Sequence, residues 1–377
     1  MTSGYDAAVV GSGPAGSAAA IVLARAGCRV LLLEKDRFPR PKVCGEFLSS
    51  DALPLLDRLG ARQAIEAQGP ERIERGFLHL PQSSAVAFRL PSPALGISRF
   101  LLDDLLARSA REAGAEVRFG ARVTSAERVA GDGFRFRFTL EQVEEEIGAR
   151  AAIGAWGRGD FLDRALVRGF QRGRRRYFGW NRDYRADTAA LTGEVRLFVF
   201  TGGYCGLSRV EGGAVNLAGV ISESRRRRLA PGWEAVCEHA RISNPSLDKH
   251  LEPLVPGPTG FLGTGPVYFT AKPPVENGIL MAGDAAGVLD PFSGQGQSAA
   301  LAAGILAGEM IAKGLSEGWT TDEIAAAYAE AWKGSSDRRF QWSRILRLLM
   351  LHPTLGSLAG RVAGEHLIRF GIAATRG

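Results

Sequence analysis

Two glycine-rich segments hold the residues best suited to chemistry: Gly11-Ser12-Gly13-Pro14-Ala15-Gly16, and Gly283-Asp284 followed by Asp290-Pro291-Phe292-Ser293-Gly294-Gln295-Gly296. A G-x-G-x-x-G run cradles a pyrophosphate when a strand precedes it and a helix follows. Gly11 then permits the tight turn, Gly13 lets phosphate approach the backbone, and Gly16 allows helix and strand to pack closely. The helix N-terminus, entered through Pro14 and Ala15, meets the phosphate charge. Glu34, beside Lys35, follows at about the 20-residue spacing of a carboxylate that accepts hydrogen bonds from an adenosine ribose. A 2'-phosphate would be repelled there. The run alone does not separate a nicotinamide dinucleotide from a flavin one.

The elements that must position these residues are legible. Tyr5 to Val10 read as a short buried strand, Ser17 to Ala26 as an Ala-rich helix and Arg29 to Leu33 as a second strand. Ile279 to Ala282 read as another buried strand, with Gly283-Asp284 just past its end, where open α/β sheets bind ligands. An acid there can accept from a ribityl hydroxyl. The helix expected from about Gln297 would present its N-terminal amides to the electron-rich edge of a reduced isoalloxazine. This second segment narrows the dinucleotide to FAD.

Between the two segments the pattern alternates. Residues 70 to 95 are β-like, Phe100 to Ala113 show helical periodicity, and 116 to 124 and 133 to 140 read as strands, with Phe134, Phe136 and Phe138 alternating with Arg135, Arg137 and Thr139. A third apolar segment, Ala151 to Ala155, ends in Trp156-Gly157-Arg158. From Arg176 to Thr270 the pattern is mostly strand-like, including Val195 to Phe200, Gly203 to Arg209 and Ala214 to Ile221. The closing stretch is helical.

A chain of 377 residues, 45% hydrophobic and 23% charged, can bury a large core in two interlocked domains. The start carries no signal peptide and no apolar run reaches the roughly 18 residues of a membrane span, so a cytoplasmic location is expected. Cys28, Cys44, Cys205 and Cys237 form no C-x-x-C pair, and His79, His239, His250, His352 and His366 lack ligand spacing. No disulfide or metal site is expected. The net charge of +7 rests on arginine, with six lysines among 47 basic residues. The clusters Arg172 to Arg176 and Arg225 to Arg228 lack interleaved aromatics and read as solvated loops, not as a nucleic-acid surface.

Over nearly its whole length the chain resembles the flavin monooxygenase superfamily with the para-hydroxybenzoate hydroxylase fold, and within it the geranylgeranyl reductase-like flavoproteins. The segments that carry the likeness are Gly11 to Gly16 with Glu34, Pro41-Lys42-Val43-Cys44-Gly45-Glu46, Ile97-Ser98-Arg99 with Leu105, and Gly283-Asp284 through Gly296. Gly203-Tyr204-Cys205-Gly206-Leu207 with Val215-Asn216-Leu217 adds a weaker match. The resemblance implies an α/β (α+β) architecture, a Rossmann-like FAD-binding domain with an inserted β-rich substrate domain and C-terminal helices. The expected FAD-binding parts are 1–69, 96–165 and 271–332, the substrate parts 70–95 and 166–270, and the helical region 333–377.

It further implies that Glu34 binds the adenosine ribose, Arg99 the phosphate or ribityl region and Asp284 the ribityl chain, with Gly294, Gln295 and Gly296 beside the ring. Lys35, Val123 and Pro291 complete the cofactor set, and Cys44 and Gly45 lie close to the ring. Cys44 is the one catalytic candidate; a small packed residue explains it equally well. Relatives that use a nicotinamide carry Asp-Gly where this chain has Trp156-Gly157, which leaves the electron donor open between NAD(P)H and a separate reductase protein.

Two reactions suit such a protein. Oxygenation of an apolar aromatic, polyketide-like or isoprenoid substrate of secondary metabolism is preferred, and reduction of an isoprenoid C=C bond is the alternative. Halogenation lacks the positioned lysine and the tryptophan pair it requires, and a pure electron carrier would not need such long β-rich insertions. Phe198, Phe200, Tyr204, Leu207, Phe269 and Phe292 are the expected pocket walls. Arg344 to Leu351, Pro353, Leu367, Ile368 and Phe370 read as helix packing in preference to a surface that touches a membrane and collects a lipid.

Overall fold

The computed structural model describes residues 4–81, 84–129, 133–158, 161–171, 175–186 and 191–351. Arg172 and Arg174, Asp187, His352 and His366, and the apolar positions Pro353, Leu367, Ile368 and Phe370 lie outside the described residues.

The first sheet is built on short buried strands. Tyr5–Val10 pairs in parallel with Val30–Glu34 on one side and Val143–Gly154 on the other, and Ile279–Met281 and Glu116–Phe119 extend it in parallel at either end. Parallel strands buried on both faces explain the unbroken Ala, Val and Leu runs. An antiparallel layer, Arg122–Arg128 and Phe134–Leu140, joins through Val143–Gly154. The expected single strand over 116–124 is two, Glu116–Phe119 and Arg122–Arg128, broken where Gly120 takes φ +75°. Phe134, Phe136 and Phe138 are buried on one face, as their alternation requires.

Both glycine-rich segments meet through their helices. Helix Pro14–Arg25 packs against helix Gly296–Glu317, and a Cβ on Gly304 would strike the Ala15 carbonyl. The small residue lets the two backbones approach. Gly296–Glu317 is the one described helix long and apolar enough to cross a membrane, yet Leu301, Ile305, Ala307 and Ile311 are core residues. The last described helix, Thr321–Leu351, runs unbroken past residue 333.

The second sheet has the order Val255–Val267, Tyr177–Arg185, Ala214–Ser222, Gly203–Arg209, Glu194–Phe200, Glu71–His79, Val86–Gly96 and Phe47–Leu48. Phe47–Leu48 thus pairs into the second sheet, although it falls within the first expected FAD-binding part, 1–69. Residues 234–251 depart from the strand-like expectation and form two helices, Glu234–Ser243 and Pro245–Leu251. Asn244 separates them: its side chain accepts from Ser246 N and donates to the carbonyls of His79 and Val199. Pro245 sits in the first helical turn, where its missing N–H costs nothing. Val236, Ala240, Leu247 and Leu251 face inward at helical spacing and cover one face of the sheet.

Candidate functional site

Three connected cavities run between the sheets. The first, a channel of about 730 Å³, is lined by Gly11, Gly13, Glu34, Lys35 and Val123 among others. Gly11 has φ +101° and its amide donates to Leu33 O at 2.7 Å. A Cβ on Gly16 would overlap the Gly11 carbonyl. Glu34 is buried, and its carboxylate accepts from Ser12 N at 2.8 Å and Asp36 N at 3.0 Å. Two backbone donors thereby hold an acid at the channel wall with lone pairs left for a ribose diol.

The channel continues into a second cavity of about 170 Å³ that takes in Pro14, Ala15, Cys44, Gly45, Arg99, Phe269, Gly283, Asp284, Pro291, Gly294 and Gly296. Ser98 caps the helix Arg99–Glu112, and Arg99 binds Asp103 through two bonds of 2.7 Å. Asp284 sits in the turn Gly283–Ala285, with Arg158 Nε 3.8 Å from its carboxylate. The Asp290–Gly296 segment is locked from beneath. Tyr204 Oη donates to Asp290 Oδ1 at 2.5 Å, Phe292 N donates to Tyr204 Oη at 2.8 Å, and Asp290 N donates to Ser343 Oγ at 2.8 Å. Burial, with the adjacent Asp290 charge, holds the Tyr204 phenol well above its usual range.

Glu46 also lines this cavity, its Oε1 accepting from Arg99 N at 2.9 Å. Burial pushes its carboxyl up to about 8 from an ordinary 4.5, against the pull of that hydrogen bond. Between those values the folded chain keeps a proton that the unfolded chain releases, so this group's stabilising contribution, full below pH 4.5, is lost as pH rises through 8. Glu46→Gln should therefore raise the Tm of the cofactor-free protein by roughly 2–4 °C at pH 8 and leave it nearly unchanged at pH 4.5. Thermal scans of both proteins at the two pH values check it; an equal shift at both would remove the titration as its cause.

The third cavity is an apolar slot of about 130 Å³ against the second sheet. Phe47, Phe88, Leu90, Leu197, Tyr204, Val220 and Phe292 line it, with Gly206, Gly219 and Gly179 on its floor. Val43, Cys44, Gly45 and Arg158 line both this slot and the second cavity. Of the expected pocket walls, Tyr204 and Phe292 are here and Phe269 lines the neighbouring cavity. Phe198, Phe200 and Leu207 are a correction. Strand alternation turns them to the opposite face, where they are buried with Val236 and Leu247 from the two covering helices. Phe88, Leu90, Leu197 and Val220, which face the slot, were not anticipated.

Nor was the buried charge beneath the second cavity. Asp163 accepts from Trp156 Nε1 at 3.1 Å and Arg168 Nη1 at 2.9 Å, and Lys272 Nζ lies 3.9 Å from its other oxygen. The Trp156 ring lies against Gly154, where a Cβ would collide with it. A signal for Lys272 was present in the sequence: lysine is rare in this arginine-rich chain, and Lys35, Lys42 and Lys272 all border the cofactor cavities or the turn beneath them.

The residues fit FAD by a test internal to the fold. Gly13, Gly45 and Gly296 have no positive φ, and an added Cβ would meet nothing within 4 Å at Gly45 or Gly296 and only Arg99 Nη2, at 3.7 Å, at Gly13. Neither backbone strain nor protein packing demands glycine there. All three border the second cavity, so a closely approaching ligand accounts for them. Glu34 at one end, the helix N-terminus with Arg99 in the middle and Asp284 at the other end would supply the donors and acceptors of a dinucleotide.

Comparison with known proteins agrees. Residues 4–177 match the FAD binding domain family. A digeranylgeranylglycerophospholipid reductase of Methanopyrus kandleri is 29% identical, over 90% of this chain and 89% of its own. A menaquinone reductase of Mycobacterium tuberculosis is 28% identical, over 92% and 84%. Among solved structures, the flavin-dependent brominase Bmp2 superposes with a TM-score of 0.82 at 22% identity, over 99% of this chain and 94% of that one. A geranylgeranyl bacteriochlorophyll reductase-like protein of Thermoplasma acidophilum gives 0.79 at 18%, over 98% and 95%. At such identities these structures speak to the fold. With a channel that fits FAD and a slot beside it, the chain has the para-hydroxybenzoate hydroxylase-like fold of FAD-binding flavoproteins and is similar to reductases named for geranylgeranyl lipids.

Proposed function

We propose that this FAD-dependent oxidoreductase reduces C=C bonds in the isoprenoid chain of a lipid. The observation that carries the reading is the slot, narrow and mostly apolar, opening on the ring end of the cofactor cavity. A flexible chain fits such a slot better than a fused ring system. The names of the curated relatives, a digeranylgeranylglycerophospholipid reductase and a menaquinone reductase, share a substrate built on isoprenoid units. No lysine lines the slot among the described residues, so it offers no amine to guide a halogenating agent.

Bound and reduced, FAD supplies a hydride. The chain must hold the alkene, exclude water and deliver a proton to the second carbon. Phe47, Leu197, Val220 and Phe292 do the first two. Among the described residues whose side chains border both slot and ring cavity, only Cys44 and Arg158 carry ionisable groups, and the Cys44 thiol is the one able to give up a proton. Glu46 N and Gln297 Nε2 lie 3.4 and 3.5 Å from Cys44 Sγ and fix its position, and solvent restores the proton. The hydride and this proton complete the two-electron reduction.

Reducing the bound flavin with dithionite under argon tests the reading without naming the physiological donor. Addition of a geranylgeranyl ether lipid in detergent should bring back the yellow oxidised spectrum and yield the saturated chain. Recovery of the colour only when oxygen is admitted, with a hydroxylated or epoxidised product, would establish oxygenation instead.

A further inference from the structure

Lys272 is fully buried, and its surroundings are those of a built site. It follows the strand Val255–Val267, where its backbone N donates to Ala286 O at 2.9 Å and Ala271 bridges to Gly287. The side chain is thereby seated beneath the turn Gly283–Ala285. Its Nζ donates to Asp284 O at 2.8 Å and to Arg158 O at 3.0 Å, and lies 4.3 Å from the Phe170 ring centroid. Asp163, held by Arg168 and Trp156, balances the charge from 3.9 Å. Arg168 supports the same turn from the other side, donating to Ala285 O at 2.8 Å and Pro273 O at 2.7 Å.

The two carbonyls belong to residues whose side chains reach the ring end of the cofactor cavity from different walls. Arg158 comes from the loop after the third apolar segment and Asp284 from the turn after Ile279–Met281. We propose that Lys272 is a positioning residue for FAD: its ammonium clamps the main chain of Arg158 and Asp284 together and so fixes the ring end of the cofactor site. A compact ammonium with three donors suits two carbonyls converging over an aromatic face, whereas a planar guanidinium fork does not. This explains a lysine in a chain that otherwise chooses arginine. The inference is independent of which reaction the slot supports.

Because the clamp acts at one end of the cavity, its loss should separate two ligands that share the other end. The full chain, freed of FAD, is titrated with FAD and with ADP, which needs only the Glu34 end. Lys272→Met removes two hydrogen bonds from a charged donor, and FAD affinity should fall about 10- to 100-fold while ADP affinity stays within about twofold. The visible circular dichroism of the bound flavin should change as well. Unchanged FAD affinity would overturn the proposal, and so would an equal loss for FAD and ADP, which marks general damage. Should Lys272→Met not fold, Lys272→Gln, uncharged and of similar length, carries the same comparison and the same two overturning outcomes.

Discussion

Gly13→Val is expected to fold and to lose FAD. Gly13 precedes the first helix with φ −74° and ψ −175°, an ordinary extended conformation, and its Cβ would meet only Arg99 Nη2 at 3.7 Å. The chain therefore accepts a side chain there, while the added methyls take the space through which a pyrophosphate reaches the helix N-terminus. The fall in FAD affinity should reach at least about 100-fold, with the Tm of the cofactor-free protein shifted by no more than about 2 °C. Gly16→Val makes the contrast. Its Cβ would overlap the Gly11 carbonyl, so that variant should fail to fold. Flavin titration with thermal unfolding separates the two, and a Gly13→Val protein that retains FAD at native affinity would move the pyrophosphate elsewhere.

The second large effect belongs to the slot. Gly206 lies on its floor, and a Cβ there would touch Leu197 Cδ2 at 3.3 Å, the mobile end of a side chain that can give way. Gly206→Leu should fill the slot and lower kcat/KM for a long-chain substrate by about 100-fold or more, leaving FAD affinity intact. Gly219→Leu is not equivalent, because its Cβ would sit 2.9 Å from both Cys205 Cβ and the Trp180 ring. Steady-state kinetics beside FAD titration decides the matter: full activity in Gly206→Leu would show that substrate does not cross this floor.

The sequence was most legible where one physical rule governs a segment. Tyr5 to Val10 follows from burial on both faces, Phe134 to Phe138 from strand alternation, and the first glycine run from the demands of a phosphate on a helix N-terminus. Alternation also says that Phe198 and Phe200 share a face, but not what that face meets, and only the register, Leu207 opposite Arg196, adds Leu207 to it. The short helices Glu234–Ser243 and Pro245–Leu251 were missed in a strand-rich stretch, and with them went the cover for those aromatics. An uncovered apolar face then reads as a pocket wall. The one omission produced the other error. Asp163, Arg168 and Lys272 escaped for a different reason: their meeting depends on two loops folding beneath one turn, which no local periodicity encodes.

The chain passes back and forth between its two sheets: Phe47–Leu48 and the Glu71–Gly96 hairpin join the second sheet, and the chain then returns to the first before the long insertion begins. A modular graft, in which one enzyme's recognition half is exchanged for another's, has no clean seam here. New specificity on this scaffold has to come from single replacements at slot-facing parity positions such as 195, 197, 206 and 218, with the oppositely facing neighbours kept for the hydrophobic interior.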